Sequence, residues 1–440
     1  MKRLLNLLGY GAGSLGVNLV LWPLSDLLMY FLTETVGFSV ALAILVITAP
    51  KVWDIFVDPL IGAWAGRAAA RNGNRMRVLM LAAGMMPASV VLVFLLPEHA
   101  PAWLAAVAVL LMIVKSCAFM VFFVSEVGLA DDMDRSGLVR RDTVLAMRVV
   151  GQALGTLIAG AAGPLIISEL GGGQRGYLIM AIVMALAGVL GMMAVAWMAK
   201  GFRTAGTTAS ADEKPAGSSL LDAIRAAMHN RSAGLLIVSN FMLYIAASVV
   251  ATFLPYMNKL ILGAGDSTLS ILFTSMTVAM LIGSGIAAVA TRRMGRHQVL
   301  LAGVLIMTAA AALFYPGTTV GGISAASAVL LLWGLGLGIY SLVIFSAMMD
   351  AGAGAVGAGL LLGLLMSTGK VGDTLGGVLA GGMLSWAGYH PGVAIGPDTI
   401  QDLRLAYCGI PLGAMLLAAL ALLPLLRRPS SALAPEPNPS

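Results

Sequence analysis

Charged residues are rare in this chain: Asp, Glu, Lys and Arg make up 10 % of its 440 residues, against about 25 % in a soluble domain. Water cannot be its main solvent. Cysteine is scarcer still, and the two copies, Cys117 and Cys408, both fall inside apolar runs. Neither a disulfide framework nor a thiolate metal site is implied. The four histidines (His99, His229, His297 and His390) sit in loops or at helix ends without metal-ligand spacing, and no nucleophile motif accompanies them. An enzyme is therefore the least expected class, and no cofactor is expected beyond a coupling ion.

What is abundant is apolar sequence, 59 % of the chain. Runs of about 20 residues recur from Leu4 to Leu426, each long enough to cross a hydrocarbon core about 30 Å thick at 1.5 Å per residue. They are continuous rather than alternating, which excludes a β-barrel. The 53 glycines would weaken soluble helices but let membrane helices approach closely. The expected fold is an all-α membrane protein with twelve spans near 5–33, 39–65, 77–96, 102–129, 143–168, 176–199, 233–261, 267–290, 298–315, 323–349, 357–388 and 402–426.

The polar stretch from Lys200 to Ser232 divides the chain into an N-terminal six-helix bundle (1–199), a cytoplasmic middle loop (200–232) and a C-terminal six-helix bundle (233–428). Ser219 and Asp222 resemble a capping box that opens a short helix in that loop, and the proline-rich tail 429–440 is expected to be disordered. Basic residues crowd one set of loops, whereas the other set holds only Arg175, Lys259 and Arg404. The positive-inside rule then places both termini in the cytoplasm, in a bacterial-type cytoplasmic (inner) membrane. The net charge of +6 is spread over these loops, so it reads as topology rather than nucleic-acid binding. Lys2 and Arg3 precede an apolar stretch that no small-residue cleavage site closes, and this stretch is expected to remain as the first helix.

Against that background each intramembrane charge asks for a reason, because it costs about 2.5–3.5 kcal/mol even on a lenient insertion scale. The densest group is K-V-W-D-I-F-V-D-P, where Asp54 and Asp58 lie four residues apart and so share a helix face. Two such carboxylates repel unless a cation or a proton sits between them. Lys51, three residues before Asp54, is placed to pair with it. Lys370 and Asp373 occupy the eleventh span, Arg148 the fifth, and Lys115 with Glu126 the fourth. Lys370 and Arg148 are expected to converge on a central cavity with the carboxylates, the alternative for Lys370 being a pair with Asp373 in its own helix; Lys115 either reaches the second span in place of a metal cation or neutralises charge within the bundle. Spacing leaves open whether Asp26 and Asp350 face the cavity or the cytoplasm, and whether Trp22, Trp53 and Trp333 line it.

These strings, together with Y-G-A-G-S-L-G-V-N, L-M-Y-F-L-T-E-T-V-G-F-S and G-G-G-Q-R-G-Y, resemble the glycoside-pentoside-hexuronide:cation symporter family (melibiose permease-like), a branch of the major facilitator superfamily. The resemblance runs nearly the whole length. It implies a major facilitator fold of two pseudo-symmetric six-helix bundles, alternating access, and symport driven by H⁺, Na⁺ or Li⁺. Carried over by residue, it implies a cation site at Asp54 and Asp58 with Asn18 nearby. Asn18, Arg148, Gln152 and Lys370 are the expected solute-binding groups, and Lys51, Lys115 and Asp373 the expected gating charge pairs. The family's galactoside pattern has an aspartate where Asn18 stands and another near apolar Val121, so galactoside binding does not carry over and H⁺ is favoured over Na⁺. The expected partners are a small solute, sugar-like or anionic, and membrane lipids, with no nucleic acid and a monomeric chain. A lipid or lysolipid transporter of the same fold, or a non-transporting sensor or assembly protein, are the alternatives.

Overall fold

The structure is a computed structural model that describes residues 2–139, 141–204, 230–351, 358–389 and 396–426. The expected middle-loop helix around Ser219 and the tail 429–440 lie outside the described residues. Twelve helices of 19 residues or more are present among those described: α1 (Lys2–Asp26), α2 (Val40–Asn72), α3 (Met76–Phe94), α4 (Leu104–Arg135), α5 (Arg141–Glu169), α6 (Gly173–Met198), α7 (Arg231–Tyr256), α8 (Asp266–Ala290), α9 (Arg296–Val320), α10 (Gly322–Ala351), α11 (Ala358–Trp386) and α12 (Pro397–Leu426). Ten are long and apolar enough to cross a membrane. The other two, α2 and α11, carry Lys51, Asp54, Asp58, Lys370 and Asp373.

Local chemistry sets several helix ends. The Ser39 hydroxyl accepts from the Leu42 amide at the start of α2, Gly73 closes that helix in the left-handed region at φ 68°, and the Asn230 side chain caps α7 through the Ala233 amide. Large apolar side chains such as Leu60, Leu186, Leu190 and Trp197 point outward, as a lipid-facing surface requires.

Helix packing repeats between the halves. In the first half α1 packs on α5 and α6, and α4 on α2 and α3; in the second, α7 packs on α11 and α12, and α10 on α8 and α9. Small residues make the closest approaches. Gly151 and Gly155 of α5 lie against the Gly11 and Leu15 carbonyls of α1, as Gly372 and Gly376 of α11 lie against Phe241 and Ile245 of α7. A Cβ on Gly376 would fall 2.6 Å from the Ile245 oxygen, too close for any other residue. The turns repeat too: α1 and α7 are followed by π-helical turns, Phe31–Thr35 and Met257–Ile261, and then by left-handed Gly37 and Gly263.

The halves meet chiefly through α2 with α11 and α5 with α8, with a smaller contact between α1 and α7. These contacts gather at the end of the molecule away from the two termini. There Trp22 packs edge-on to Phe273, 5.0 Å between centroids, the Ser270 hydroxyl donates to the Ala161 carbonyl, and Ile44 packs on Gly381. Thr33 and Tyr256 share a 2.6 Å hydroxyl hydrogen bond, and Lys259 lies 3.5 Å from Glu34. At the terminal end, the bonds made by Arg75 and Thr204 to Asp132, by Arg296 to Asp350, and by Asn230 to the Ala351 carbonyl each stay within one half.

Candidate functional site

A cavity of about 430 Å³ lies between the halves, walled by α1, α2, α4, α7 and α11. Among the described residues its ionisable side chains are Asp26, Lys51, Asp54, Lys115, Lys370 and Asp373, beside Tyr244. Except for Asp26, at the end of α1, they stand near the midpoints of long helices, where a charge is most costly unless it faces a cavity or a partner. Leu21, Met29, Ile47, Met112 and Phe119 supply apolar wall between them.

Besides the Glu34–Lys259 contact at the far end, an ion pair crosses from half to half at the cavity wall: Lys51 Nζ of α2 lies 2.6 Å from Asp373 Oδ2 of α11. Both side chains keep access to the cavity, at 32 % and 44 % exposure. This corrects the expectation that Lys51 pairs with Asp54 within its own helix. Asp54 instead accepts a 2.6 Å hydrogen bond from the Ser116 hydroxyl of α4, and Lys115 lines the same cavity. Asp58 follows Asp54 by one turn of α2, but its side chain lies outside the described residues.

The other solute-binding candidates are elsewhere. Arg148 donates to buried Glu126 at 3.2 Å and lies 4.6 Å from the Phe123 ring centroid. Glu126 also accepts 2.6 Å from the Ser14 hydroxyl, while Tyr10 donates to its backbone carbonyl. This network ties α1, α4 and α5 together inside the first half, so Arg148 does not converge with Lys370 on the cavity. The reason is that a guanidinium deep in a bundle is held by the nearest carboxylate able to neutralise it. Asn18 donates to the Ser14 carbonyl of its own helix at 2.9 Å and packs against Gly155; half-buried Gln152 stands on α5. Neither lines the cavity. Trp22 is buried at the half interface, Trp333 is buried against Phe314, and Trp53 is outward-facing.

Asp26 is the cavity residue for which spacing left two positions open; it ends α1 at the wall. Beyond it, toward the closed end, Tyr30 and Tyr256 meet edge to face at 5.1 Å, and the Lys259 ammonium lies 5.5 Å from the Tyr30 centroid. Burial pushes the Glu34 carboxyl above the ordinary carboxylate range, an effect that the nearby Lys259 charge opposes.

Comparison with known proteins places this geometry. A stretch of 80 residues, 18 % of the chain, is 36 % identical to an uncharacterised symporter of Synechocystis sp., of whose length the match spans 14 %. Among solved structures, the nucleoside transporter NupG superposes with a TM-score of 0.71 at 16 % identity, over 97 % of this chain and 100 % of that one. A bacterial homologue of the human lysosomal transporter Spinster, inward-facing and unoccupied, superposes with a TM-score of 0.67 at 14 % identity, over 95 % and 94 %. At such identities these two likenesses concern the fold. The family described as MFS/sugar transport protein matches residues 9–429, nearly the whole chain, and the protein belongs to that family, a multi-pass membrane transporter and not an enzyme.

Proposed function

We propose that the protein is a proton-coupled symporter of a small organic solute, working by alternating access in a bacterial-type cytoplasmic membrane with both termini in the cytoplasm. The observation that carries this reading is the cavity itself, in which aspartates and lysines from both halves face each other at the depth where substrate sites of such folds lie. The moving bodies are the six-helix bundles of residues 1–199 and 233–428. With contacts between them gathered at the far end, this is the inward-facing arrangement.

Asp54 is the coupling carboxylate, with Asp58 one turn away as its companion. A proton needs one carboxylate, whereas Na⁺ takes several oxygen ligands. The described neighbours disfavour a metal cation: the Ser116 hydroxyl donates its hydrogen to Asp54, and Lys115 puts a fixed positive charge on the same wall. Lys370 meets the solute from the other half, and the Lys51–Asp373 pair links the halves through the cavity.

The test is thermal stabilisation of the purified protein by sugars and sugar acids, at two pH values with and without Na⁺, beside Asp54→Asn. Stabilisation that varies with pH, ignores Na⁺ and disappears in the variant is expected. Stabilisation that needs Na⁺, or that Asp54→Asn leaves intact, contradicts the proton reading.

A further inference from the structure

The turns that shut the far end mirror each other across the two halves. Thr33 and Lys259 each stand three residues after a tyrosine, Tyr30 and Tyr256, and each reaches the tyrosine of the opposite half. The Thr33 hydroxyl shares a 2.6 Å hydrogen bond with Tyr256, and the Lys259 ammonium lies 5.5 Å from the Tyr30 centroid. Glu34 breaks the symmetry, because the matching residue of the other turn is Leu260. Its side chain is 12 % exposed and lies 3.5 Å from Lys259 through Oε2, whereas Oε1 is buried without a hydrogen-bond partner. An ionised carboxylate so placed is costly, and a proton removes most of that cost.

These groups border a pocket of about 450 Å³ on the seam between the halves. The second half adds Asp266, the first residue of α8, whose Oδ2 reaches to 3.7 Å from where a Cβ on Gly172 of the first half would stand. The Lys259 charge acts on Asp266 as well as on Glu34. Among the described residues lining the pocket, this one lysine therefore serves two carboxylates, one from each half, and it can neutralise only one of them. Glu98 accepts from the Gln174 amide within its own half, and His99 turns its ring toward Gly37. The hydroxyls of Tyr30, Tyr177 and Tyr256 are uncharged near neutral pH.

We propose that this seam is a proton-binding site separate from the central cavity: closing the far end takes up one proton, held by Glu34 and Asp266 jointly, so that acid on that side shuts the end and alkali loosens it. The inference rests on the alternating opening of the two ends proposed above, and not on Asp54 or on the solute carried. Opening draws Lys259 and Asp266 away from Glu34, and water then solvates the freed carboxylate, which ionises in its ordinary range. In the closed state burial opposes that ionisation. The preference for closure is thus complete below the ordinary carboxylate range and is lost as pH rises through the closed-state value.

Spin labels at Trp103→Cys and Trp386→Cys, exposed at the far end in opposite halves, measure the closed and open populations of the full-length protein once Cys117 and Cys408 are replaced. The pH series runs upward from the ordinary carboxylate range without solute, in the wild type and in Asp54→Asn, where the cavity's coupling carboxylate no longer titrates. In both, the closed-to-open ratio should fall by up to about tenfold per pH unit, the limit for one linked proton. Glu34→Gln and Asp266→Asn, each added to Asp54→Asn, should flatten the slope. Lys259→Met leaves both carboxylates without their cation and should steepen it toward about hundredfold per pH unit, the limit for two protons. His99→Gln should leave it unchanged. A slope lost with Asp54→Asn alone puts the sensing proton in the cavity, which overturns the seam site and leaves proton symport standing. A slope that survives Glu34→Gln and Asp266→Asn, a slope that vanishes with His99→Gln, or a ratio that ignores pH throughout overturns it as well.

Discussion

The bond between Lys51 and Asp373 should bias the protein toward the conformation seen here. It joins α2 to α11 at 2.6 Å, and the far ends of those same helices are packed through Ile44 and Gly381. Opening the far end separates them and stretches the pair. Because both side chains are accessible from the cavity, at 32 % and 44 % exposure, solvent screens the attraction, and the net effect is about 0.5–1 kcal/mol rather than the several expected of a dry pair. That corresponds to about a two- to fivefold change in the ratio of far-side-open to far-side-closed molecules. Spin labels at Trp103→Cys and Trp386→Cys, exposed at the far end in opposite halves, would report the two populations by distance once Cys117 and Cys408 are replaced. Lys51→Met and Asp373→Asn should each raise the open population by that factor, the double variant should do no more than either alone, and the exchange Lys51→Asp with Asp373→Lys should restore the wild-type ratio. Additive single effects would refute the reasoning, since a double-mutant cycle with no coupling term means that the pair does nothing across the halves.

Other consequences are as direct. Glu34 holds its proton above the ordinary carboxylate range when the far end is shut, so the closed state gains stability as pH falls and loses it as pH rises through the folded-state value. Thermal stability should show this slope as pH rises above the ordinary carboxylate range, and Glu34→Gln should flatten it. Glu126→Ala leaves the half-buried Arg148 guanidinium without its carboxylate and should cost about 3 kcal/mol, read as a large fall in melting temperature; Glu126→Gln, which keeps an acceptor for Ser14, should cost less. Gly155→Ala forces a methyl group to 2.6 Å from the Leu15 carbonyl and should destabilise by about 1–3 kcal/mol, whereas Gly66→Ala meets nothing within 4 Å and should be tolerated.

The spans were legible in the sequence because about twenty apolar residues in a row match the thickness of a bilayer and little else, and the helices observed follow those runs closely. The end of the first was not. A span read to residue 33 in fact stops at Asp26 and continues as a turn and a π-helical turn, hidden because Leu27 to Leu32 is as apolar as the helix before it. A signal did exist: Tyr30 and Gly37 recur as Tyr256 and Gly263 at the same spacing, and the four mark equivalent turns. The paired glycines 151/155 and 372/376 were likewise visible but drowned among 53 glycines. In the site, the presence of charges was legible and their partners were not. Helical spacing compares a residue with its own helix, so it joined Lys51 to Asp54; the observed partner is 322 positions away. It could not tell that Arg148 turns to Glu126 across the bundle rather than to the cavity. Asp26 needed the fold as well, since the end of a helix gives no direction until its neighbours are known.

The most direct test of proton symport through Asp54 is proton uptake itself. Proteoliposomes holding a pH-sensitive dye would be given an inward gradient of a solute that stabilises the purified protein, with Na⁺ absent. Acidification of the interior that accompanies solute entry, and is lost in Asp54→Asn, is the predicted result. Solute entry with no proton movement, or with the same proton movement in Asp54→Asn, would contradict it.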